Sequence, residues 1–252
     1  TERVVLVYDF GGGTFDVTVL AARGRVCEVL SSAGDDRLGG MDIDALLYRE
    51  AAEAFRRDWG VDPDSDPFLA QQLMDLSERA KIELSSRSEV TFTIPFLNAG
   101  RGLSHPSFGL SRARLEDLTR PLAERTLSLV RKALDEAGKR PMDVGALVLS
   151  GGSSRIPLVR RMISEQLPLE PEGRVNPEEI VAVGAAVEAA ILSGRAGGFV
   201  VRDVNSRTYG VEIEGGRFVE LLPRNEPLPS RRRRVFTTVV DGQESVEIHI
   251  LQ

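Results

Sequence analysis

Residues 4–16 read VVLVYDFGGGTFD, and this stretch gives the clearest indication of the fold. Residues 4–8 are a continuous apolar run, which is typical of a strand buried in the interior of a sheet. Three consecutive glycines then turn the chain sharply. Strand patterns follow over residues 15–20 and 26–32, so we predict that the three strands form an antiparallel meander.

The chain up to about residue 196 alternates between helix and strand patterns, which indicates an α/β fold. Ser111 suits the N-cap of a long helix, and Pro177 suits the first position of another. Helices are predicted over residues 42–59, 68–85 and 111–138, from about 156, and over 177–194; strands are predicted over 90–96 and 145–149, and a polar loop over 97–107.

The pattern changes near residues 196–204. Helical periodicity disappears there, and alternating segments separated by turn residues indicate an all-β unit. The predicted strands cover residues 209–213, 217–222, 234–240 and 246–251. We therefore predict one unit over residues 1–195, a linker over 196–204 and part of a β-sandwich over 205–252.

Bulk composition narrows the function classes. A net charge of −6 argues against a nucleic-acid binder, and no apolar run reaches the roughly 18 residues of a membrane span. The single cysteine, Cys27, allows no intrachain disulfide. This fits the cytoplasm, where we place the protein, although a secreted protein without disulfides would look the same. We expect Cys27 to be a buried strand residue. Because Thr1 stands directly before a buried strand, we expect the chain to be cut from a longer protein, and likewise at its end.

Two carboxylates flank the first glycine turn, in the order Asp9-Phe10-Gly11-Gly12-Gly13-Thr14-Phe15-Asp16. Without side chains, successive backbone N–H groups can approach a phosphate closely, and the Thr14 hydroxyl adds a polar group. Asp9 and Asp16 are suited to hold a hydrated cation or to orient an attacking water. A plain hairpin turn is the alternative interpretation.

A second glycine turn, Gly151-Gly152-Ser153-Ser154-Arg155, follows the predicted strand over 145–149. Its glycines allow a flat ring to lie against the backbone, and Arg155 is placed to stack on that ring. A strand-to-helix connection with a solvated Arg155 is the alternative. Neither turn has the Walker or Rossmann glycine spacing, which excludes a phosphate site of the P-loop class.

Glu78, Lys81 and Ser85 lie on one face of the predicted helix over 68–85, offset from its leucine stripe. This face is suited to bond a ribose and a purine edge. The alternative is a solvated polar face with an ion pair three residues apart.

Taken in order, these motifs resemble the seventy-kilodalton heat-shock chaperone family, the DnaK-like proteins. The matching stretches are DFGGGTFDV (9–17), LGGMDID (38–44), ERAK (78–81) with LSS (84–86), GGSSRIP (151–157), NPEE (176–179), GAAV (184–187) and FTT (236–238). Each motif alone is modest, but the ordered set with similar spacing across nearly the whole chain is specific.

The resemblance implies a lobe of an actin-like ATPase (ribonuclease H-like) with an inserted α+β subdomain, followed by part of the β-sandwich. It implies ATP or ADP between two lobes, with magnesium and also potassium as ions. The implied phosphate-binding residues are Gly11, Gly12, Gly13, Thr14, Gly39 and Gly40, and the implied adenosine-binding residues are Glu78, Lys81, Ser85, Gly151, Gly152, Ser153 and Arg155. Asp9 and Asp16 are the implied metal residues and, with Thr14, the catalytic ones; Glu178 keeps the carboxylate where the family commonly has Asp.

By the same resemblance, the family's first phosphate-binding turn, a catalytic lysine and a glutamate precede residue 1. Phosphoryl transfer depends on positioning between the lobes, so we expect little or no hydrolysis by this chain alone. The linker reads FVVRD over 199–203, and Arg202 interrupts the family's leucine-rich run. We therefore expect altered coupling between nucleotide state and peptide binding.

The resemblance further implies that the segment after Asp203 begins a groove for extended apolar peptides. The implied groove residues are Val211, Ile213, Phe236, Val239, Val246 and Ile248. Glu214 stands where the family usually has an apolar residue. The four arginines at 231–234 are not a family feature; they indicate either a solvated turn or a preference for acidic partners.

Implied partners are unfolded or extended peptides, a J-domain co-chaperone and a nucleotide exchange factor, without nucleic acid or membrane. We therefore expect an ATP-driven chaperone that binds and releases unfolded apolar peptide segments. Another actin-like ATPase, such as a sugar kinase or filament protein, is disfavoured by the strand-rich segment after residue 203. A non-catalytic nucleotide-binding scaffold that keeps the fold without turnover stays open.

Overall fold

The computed structural model describes residues 2–95, 97–98, 103–174, 176–198 and 200–252. Its strands are β1 (Glu2–Phe10), β2 (Phe15–Arg23), β3 (Val26–Asp35), β4 (Glu89–Thr93), β5 (Leu97–Asn98), β6 (Leu103–Ser104), β7 (Ser107–Ser111), β8 (Val144–Ser150), β9 (Val200–Arg202), β10 (Tyr209–Ile213), β11 (Arg217–Leu222) and β12 (Ile250–Leu251). Its α-helices are α1 (Gly40–Ala54), α2 (Pro67–Leu84), α3 (Arg112–Glu136), α4 (Pro157–Gln166) and α5 (Ile180–Leu192).

The central sheet has the strand order β8-β1-β2-β3-β9. Strands β1, β2 and β3 pair antiparallel, which confirms the predicted meander. Strand β8 lies parallel to β1, with Ser150 opposite Asp9. Because parallel strands end at the same edge of a sheet, the two glycine turns leave the sheet side by side.

The main hydrophobic core lies between this sheet and helices α3 and α4. Alternate residues of β1 are buried, and the rings of Tyr8 and Phe15 meet edge to face with centroids 4.8 Å apart. The Tyr8 hydroxyl is hydrogen-bonded to Thr126 Oγ1 at 2.7 Å, and burial raises the pKa of Tyr8. Helix α3 begins as predicted, with Ser111 Oγ accepting from the Arg114 N–H at 3.2 Å.

A smaller core lies between helices α1 and α2 and the edge of the β4–β7 pair. Helix α1 continues through a π-helical turn, Phe55–Trp59, and ends at Gly60, whose φ is 65°. Helix α2 begins at Pro67 after the cap residue Asp66. The predicted helices over 42–59 and 68–85 are thus confirmed to within a few residues.

Two local predictions between residues 90 and 111 need adjustment. Strand β4 forms, but the last residue of the predicted strand, Phe96, lies outside the described residues. The predicted polar loop over 97–107 contains the short β5–β6 pair and the start of β7. The backbone of these strands pairs with antiparallel neighbours, and polar composition alone does not predict such pairing.

The prediction that Pro177 begins a helix is wrong, because α5 starts three residues later at Ile180. The carbonyl oxygen of Asn176 accepts from Glu179 N and Ile180 N at 3.1 and 3.0 Å, which closes a turn. The carbonyl oxygen of Pro177 accepts from Gly151 N at 2.9 Å. This turn is held by the second glycine turn, a contact that local sequence does not encode.

The predicted linker contributes a strand to the central sheet. Strand β9 pairs parallel with β3, so that Cys27 lies opposite Val201 and is half-buried rather than buried as expected. Phe199, the first residue of the FVVRD stretch, lies outside the described residues. The segment after residue 197 therefore begins by extending the sheet.

The final segment forms a three-stranded antiparallel sheet in the order β11-β10-β12. Strands β10 and β11 match their predictions, whereas the predicted strand over 234–240 is absent and the last one shrinks to Ile250–Leu251. Residues 234–240 form no backbone ladder with any described strand. A second packed sheet is therefore not seen among the described residues, and the sandwich stays a prediction.

No described helix combines the length and the apolar character needed to cross a bilayer.

Candidate functional site

The two glycine turns meet at one carbonyl group. The Gly11 carbonyl oxygen accepts from Gly40 N at 2.9 Å and from Ser153 Oγ at 3.0 Å. Gly151 has a φ of +78°, and a Cβ there would lie 2.3 Å from the Phe10 carbonyl oxygen. Three separate segments, around residues 11, 40 and 152, thus share one edge of the sheet.

The Gly39-Gly40 turn packs directly on the first glycine turn. Met41 N donates to the Gly12 carbonyl oxygen at 2.7 Å, and a Cβ on Gly39 would lie 2.3 Å from that same oxygen. Asp42 Oδ2 accepts from Gly39 N at 2.7 Å and holds the start of α1. Position 39 therefore requires glycine because two backbones touch there.

Backbone donors at the tip of the first turn are free. Within the part of the chain that the structure describes, the N–H groups of Gly12, Gly13 and Thr14 donate to no protein atom. A Cβ on Gly12 or Gly13 would meet nothing within 4 Å, and the same holds for Gly152. Free amides beside open space form a donor set of the kind that binds phosphate.

Asp9 and Asp16 face each other across the β1–β2 ladder. Asp16 is exposed overall, but its carboxyl packs against Gly34, where a Cβ would lie 2.4 Å from Asp16 Oδ1. Partial burial of this carboxyl and then the charge of Asp9 raise the pKa of Asp16, against the opposing hydrogen bond from Thr14. A cation would relieve this repulsion.

These two carboxylates cannot by themselves surround a metal ion. The described residues contain no cluster of three or more side chains suited to hold one. Mg²⁺ commonly uses one or two carboxylates and takes its other ligands from water and substrate phosphates. The donor set therefore fits a magnesium ion that arrives with a phosphate.

Lys81 lies behind the Gly39-Gly40 turn. Its Nζ donates to Asp44 Oδ2 at 2.7 Å and to the Gly40 carbonyl oxygen at 3.1 Å. The Lys81 and Asp44 side chains are only 12% and 9% exposed, and Asp44 Oδ1 is buried without a partner. Burial raises the pKa of Asp44, and the lysine lowers it.

Asp44 is a site residue that the sequence analysis did not single out. The signal was an acidic residue among the apolar positions of α1, next to Ile43 and close to Leu47. Lys81 pairs with Asp44 and not with Glu78, which is exposed. Ser85 Oγ donates back to the Lys81 carbonyl oxygen at 3.1 Å.

Arg155 is held at the other side of the second glycine turn. It donates to Asn176 Oδ1 at 2.8 Å and pairs with Glu178 Oε1 at 3.3 Å. The structure thus brings Glu178 beside Arg155, although the two are distant in sequence. The guanidinium is anchored rather than freely solvated.

An open cleft of about 610 Å³ borders the site at Asp16. It lies between the end of β3 and the segment after the linker, and its wall includes Asp36, Arg207 and Arg224. Neither glycine turn lines it, so the cleft adjoins the candidate phosphate site without being that site.

Comparison with known proteins accounts for this arrangement. The family model described as Hsp70 protein matches residues 1–252, the entire chain. The chain belongs to the Hsp70 family. The curated Hsp70 relatives include the chaperone protein DnaK of Thermosipho melanesiensis, 42% identical over 256 residues, and those of Thermotoga neapolitana and Thermotoga maritima, each 43% identical over 258 residues. Each alignment covers 100% of this chain and 43% of the relative, so the chain spans less than half the length of these relatives.

The buried ion pair predicts a stability effect in this Hsp70 chain. Lys81→Met leaves the Asp44 carboxylate buried without its cation, so unfolding free energy should fall by about 3–5 kcal/mol at neutral pH. Loss of the lysine raises the folded-state pKa of Asp44 further above its unfolded value. The variant should therefore be most stable below the unfolded pKa and lose stability as pH rises through the folded pKa.

Urea denaturation of this Hsp70 chain across the pH range measures both effects. Adding Asp44→Asn to Lys81→Met should restore most of the stability and remove the added pH dependence. Arg87→Met, which removes an exposed pair with Glu83, is the matched control and should change stability by less than about 1 kcal/mol. A loss that the second substitution fails to reduce would contradict the assignment.

Proposed function

We propose that this chain is the nucleotide-gripping part of an ATP-driven chaperone that binds and releases unfolded apolar peptide segments. The strongest support is the pair of hydrogen bonds that the Gly11 carbonyl oxygen accepts. They join the Gly39-Gly40 segment and the second glycine turn to the first glycine turn, whose free amides are the proposed phosphate-binding groups. A plain hairpin would not need either contact. The relatives named chaperone protein DnaK support the same proposal.

The proposed nucleotide lies along this shared edge. Its phosphates bind the free amides of the first turn, with Gly39 and Gly40 behind them. Its adenosine lies between the α2 face of Glu78, Lys81 and Ser85 and the second glycine turn with Arg155. The binding residues so proposed are Gly11, Gly12, Gly13, Thr14, Gly39, Gly40, Glu78, Lys81, Ser85, Gly151, Gly152, Ser153, Arg155 and Glu178.

Asp9 and Asp16 are proposed to hold magnesium through its water shell and to orient the attacking water, with the Thr14 hydroxyl between them. When bound, the magnesium supplies positive charge against the phosphate oxygens. The raised pKa of Asp16 means that this carboxylate protonates at a higher pH than an ordinary aspartate. As pH falls, Mg²⁺-dependent nucleotide binding should therefore begin to weaken at a higher pH than it would with an ordinary aspartate at this position. We further propose potassium as a second ion.

We propose that hydrolysis also needs a region of the full-length protein equivalent to the part of these relatives that residues 1–252 do not cover. Phosphoryl transfer depends on groups placed on both sides of the nucleotide. In this proposal, residues 1–195 form the nucleotide-binding part, residues 196–204 the linker and residues 205–252 the beginning of the peptide-binding part. A J-domain co-chaperone, a nucleotide exchange factor and a cytoplasmic location belong to the same proposal.

The peptide groove is the least formed part of the proposal. Val211 is buried within β10 and Ile213 is half-buried at its end. Phe236, Val239, Val246 and Ile248 are exposed, and the described hydrophobic clusters do not include them. An apolar peptide would cover this surface.

Arg224 connects the segment after the linker to the nucleotide-binding part. It donates to the Ser32 carbonyl oxygen and pairs with Glu136 at 2.9 Å. The neighbouring Asn225 contacts both Glu136 and the Ser32 N–H. These contacts hold the linker strand β9 beside β3 in the proposed nucleotide-coupled state.

Arg224→Ala should therefore loosen the docked linker. Charge-assisted bonds of this kind contribute roughly 1–3 kcal/mol, so hydrogen exchange of the β9 amides should accelerate by about tenfold or more. Mass spectrometry of the exchanging chain measures it. Arg217→Ala, on β11, should leave β9 protection unchanged, because its exposed side chain has no described hydrogen bond or ion pair. Equal exchange in both variants would contradict the docking role.

ATPase assays on the full-length protein, with and without an apolar peptide, test the function. We expect turnover that the peptide stimulates, and little turnover by residues 1–252 alone. Calorimetry that finds nucleotide binding without any turnover would favour the non-catalytic scaffold instead. No binding of ATP or ADP would overturn the proposal.

A further inference from the structure

The arginine run at residues 231–234 divides into two different pairs. Arg232 pairs with Glu226 Oε1 at 2.5 Å, and Arg234 donates to the Glu220 carbonyl oxygen at 3.3 Å. Arg231 and Arg233 are exposed and have no partner among the residues that the structure describes. Alternate residues thus differ in what they contact.

This alternation follows from the shape of the segment. Residues 230–238 run without a helix, turn or bend. In such an extended chain, successive side chains point to opposite sides, and alternate ones lie roughly 6.6 Å apart. Arg231 and Arg233 therefore lie on one side, which we name the arginine face, and Val235, 94% exposed, continues it.

The anchored arginines hold the arginine face in place. Glu226, which also accepts from Ser230 Oγ at 2.6 Å, ties down Arg232, and the β11 backbone ties down Arg234. Two guanidiniums displayed from a fixed backbone lose less freedom on binding than two on a mobile loop. Guanidinium groups favour carboxylates because both groups are planar and can form two parallel N–H···O hydrogen bonds with each other.

We propose that the arginine face binds an extended acidic segment of a partner protein, with carboxylates at alternate positions. Carboxylates on alternate residues of an extended peptide repeat at the same spacing as Arg231 and Arg233. The chain as a whole carries a net charge of −6, which disfavours nucleic acid as the occupant. Within residues 230–238, the groove residue Phe236 falls on the side opposite to the arginine face.

Fluorescence anisotropy with the full-length protein tests the proposal. The probes are a labelled peptide with glutamate and serine alternating, its glutamine and lysine counterparts, and a single-stranded oligonucleotide. At low salt we expect the glutamate peptide to bind about fivefold or more tighter than the glutamine peptide, a preference that shrinks at high salt. Because the probe peptides contain no apolar residues, this result does not depend on the proposed groove for apolar peptides.

Two charge-matched variants complete the test. Arg231→Ser with Arg233→Ser should abolish the preference for glutamate. Arg120→Ser with Arg160→Ser removes the same charge from exposed positions on α3 and α4 and should preserve it. The proposal is overturned if the preference survives the first pair, if the oligonucleotide binds best through these arginines, or if residues 1–252 show the preference and the full-length protein does not. The last outcome would mean that another part of the protein covers the arginine face.

Discussion

Gly39→Ala is expected to lower nucleotide affinity of the full-length protein by about 100-fold or more. The added Cβ would lie 2.3 Å from the Gly12 carbonyl oxygen, 2.5 Å from its carbon and 2.6 Å from Gly13 Cα. All three are backbone atoms, so no side chain can turn away. Gly12 must retreat by about 1 Å to reach an ordinary contact of 3.4 Å, which displaces the proposed phosphate-binding amides.

Isothermal titration calorimetry with ADP and Mg²⁺ measures this loss. Gly173→Ala is the matched control, because a Cβ there meets nothing within 4 Å and its φ is not positive. The backbone of Gly39 itself is extended, with a φ of −158°, so alanine adds no conformational strain and contact alone is tested. Unchanged affinity in Gly39→Ala would show that the first turn does not bind the nucleotide.

Gly151→Ala is expected to reduce the free energy of unfolding by about 2–4 kcal/mol. The backbone at Gly151 has a φ of +78°, a conformation that side chains disfavour. The same Cβ would lie 2.3 Å from the Phe10 carbonyl oxygen and 2.8 Å from Asp9 Oδ1. Strain and overlap therefore add, and both fall where the ends of β1 and β8 meet.

Urea denaturation without nucleotide measures the effect on stability alone. Gly152→Ala is the adjacent control, since its Cβ would meet nothing within 4 Å and its φ is not positive. It should change stability by less than about 1 kcal/mol. If the two alanine variants were equally stable, the close approach of Gly151 to β1 would be refuted.

Gly39 and Gly151 can both be singled out from the sequence, so local sequence patterns are enough to predict part of the candidate site. An apolar run, a glycine turn and flanking carboxylates are contiguous features, so β1, the first turn and β2 followed from residues 4–16. The helices α1, α2 and α3 followed from apolar spacing, and the start of α3 also from the predicted cap Ser111.

Prediction failed where a segment depends on a distant partner. Residues 234–240 alternate like a strand, but a strand needs a neighbour to complete its hydrogen bonds, and the described residues supply none. Pro177 suits a helix start, yet its carbonyl is taken by Gly151. The Asp44–Lys81 ion pair joins residues on α1 and α2, and residue spacing within one helix does not show which residue of the other helix lies opposite.

Local sequence patterns were enough to predict the α/β architecture of the first part, the two glycine turns and the residue types able to bind a phosphate and a cation. These features depend on periodicity and on backbone freedom, which are properties of neighbouring residues. Three further features became visible only in the folded chain: Gly11 joins three segments, Lys81 pairs with Asp44, and the predicted linker extends the central sheet beside β3. Each of these requires atoms far apart in the chain to come within hydrogen-bonding distance, and packing of the whole fold sets that distance.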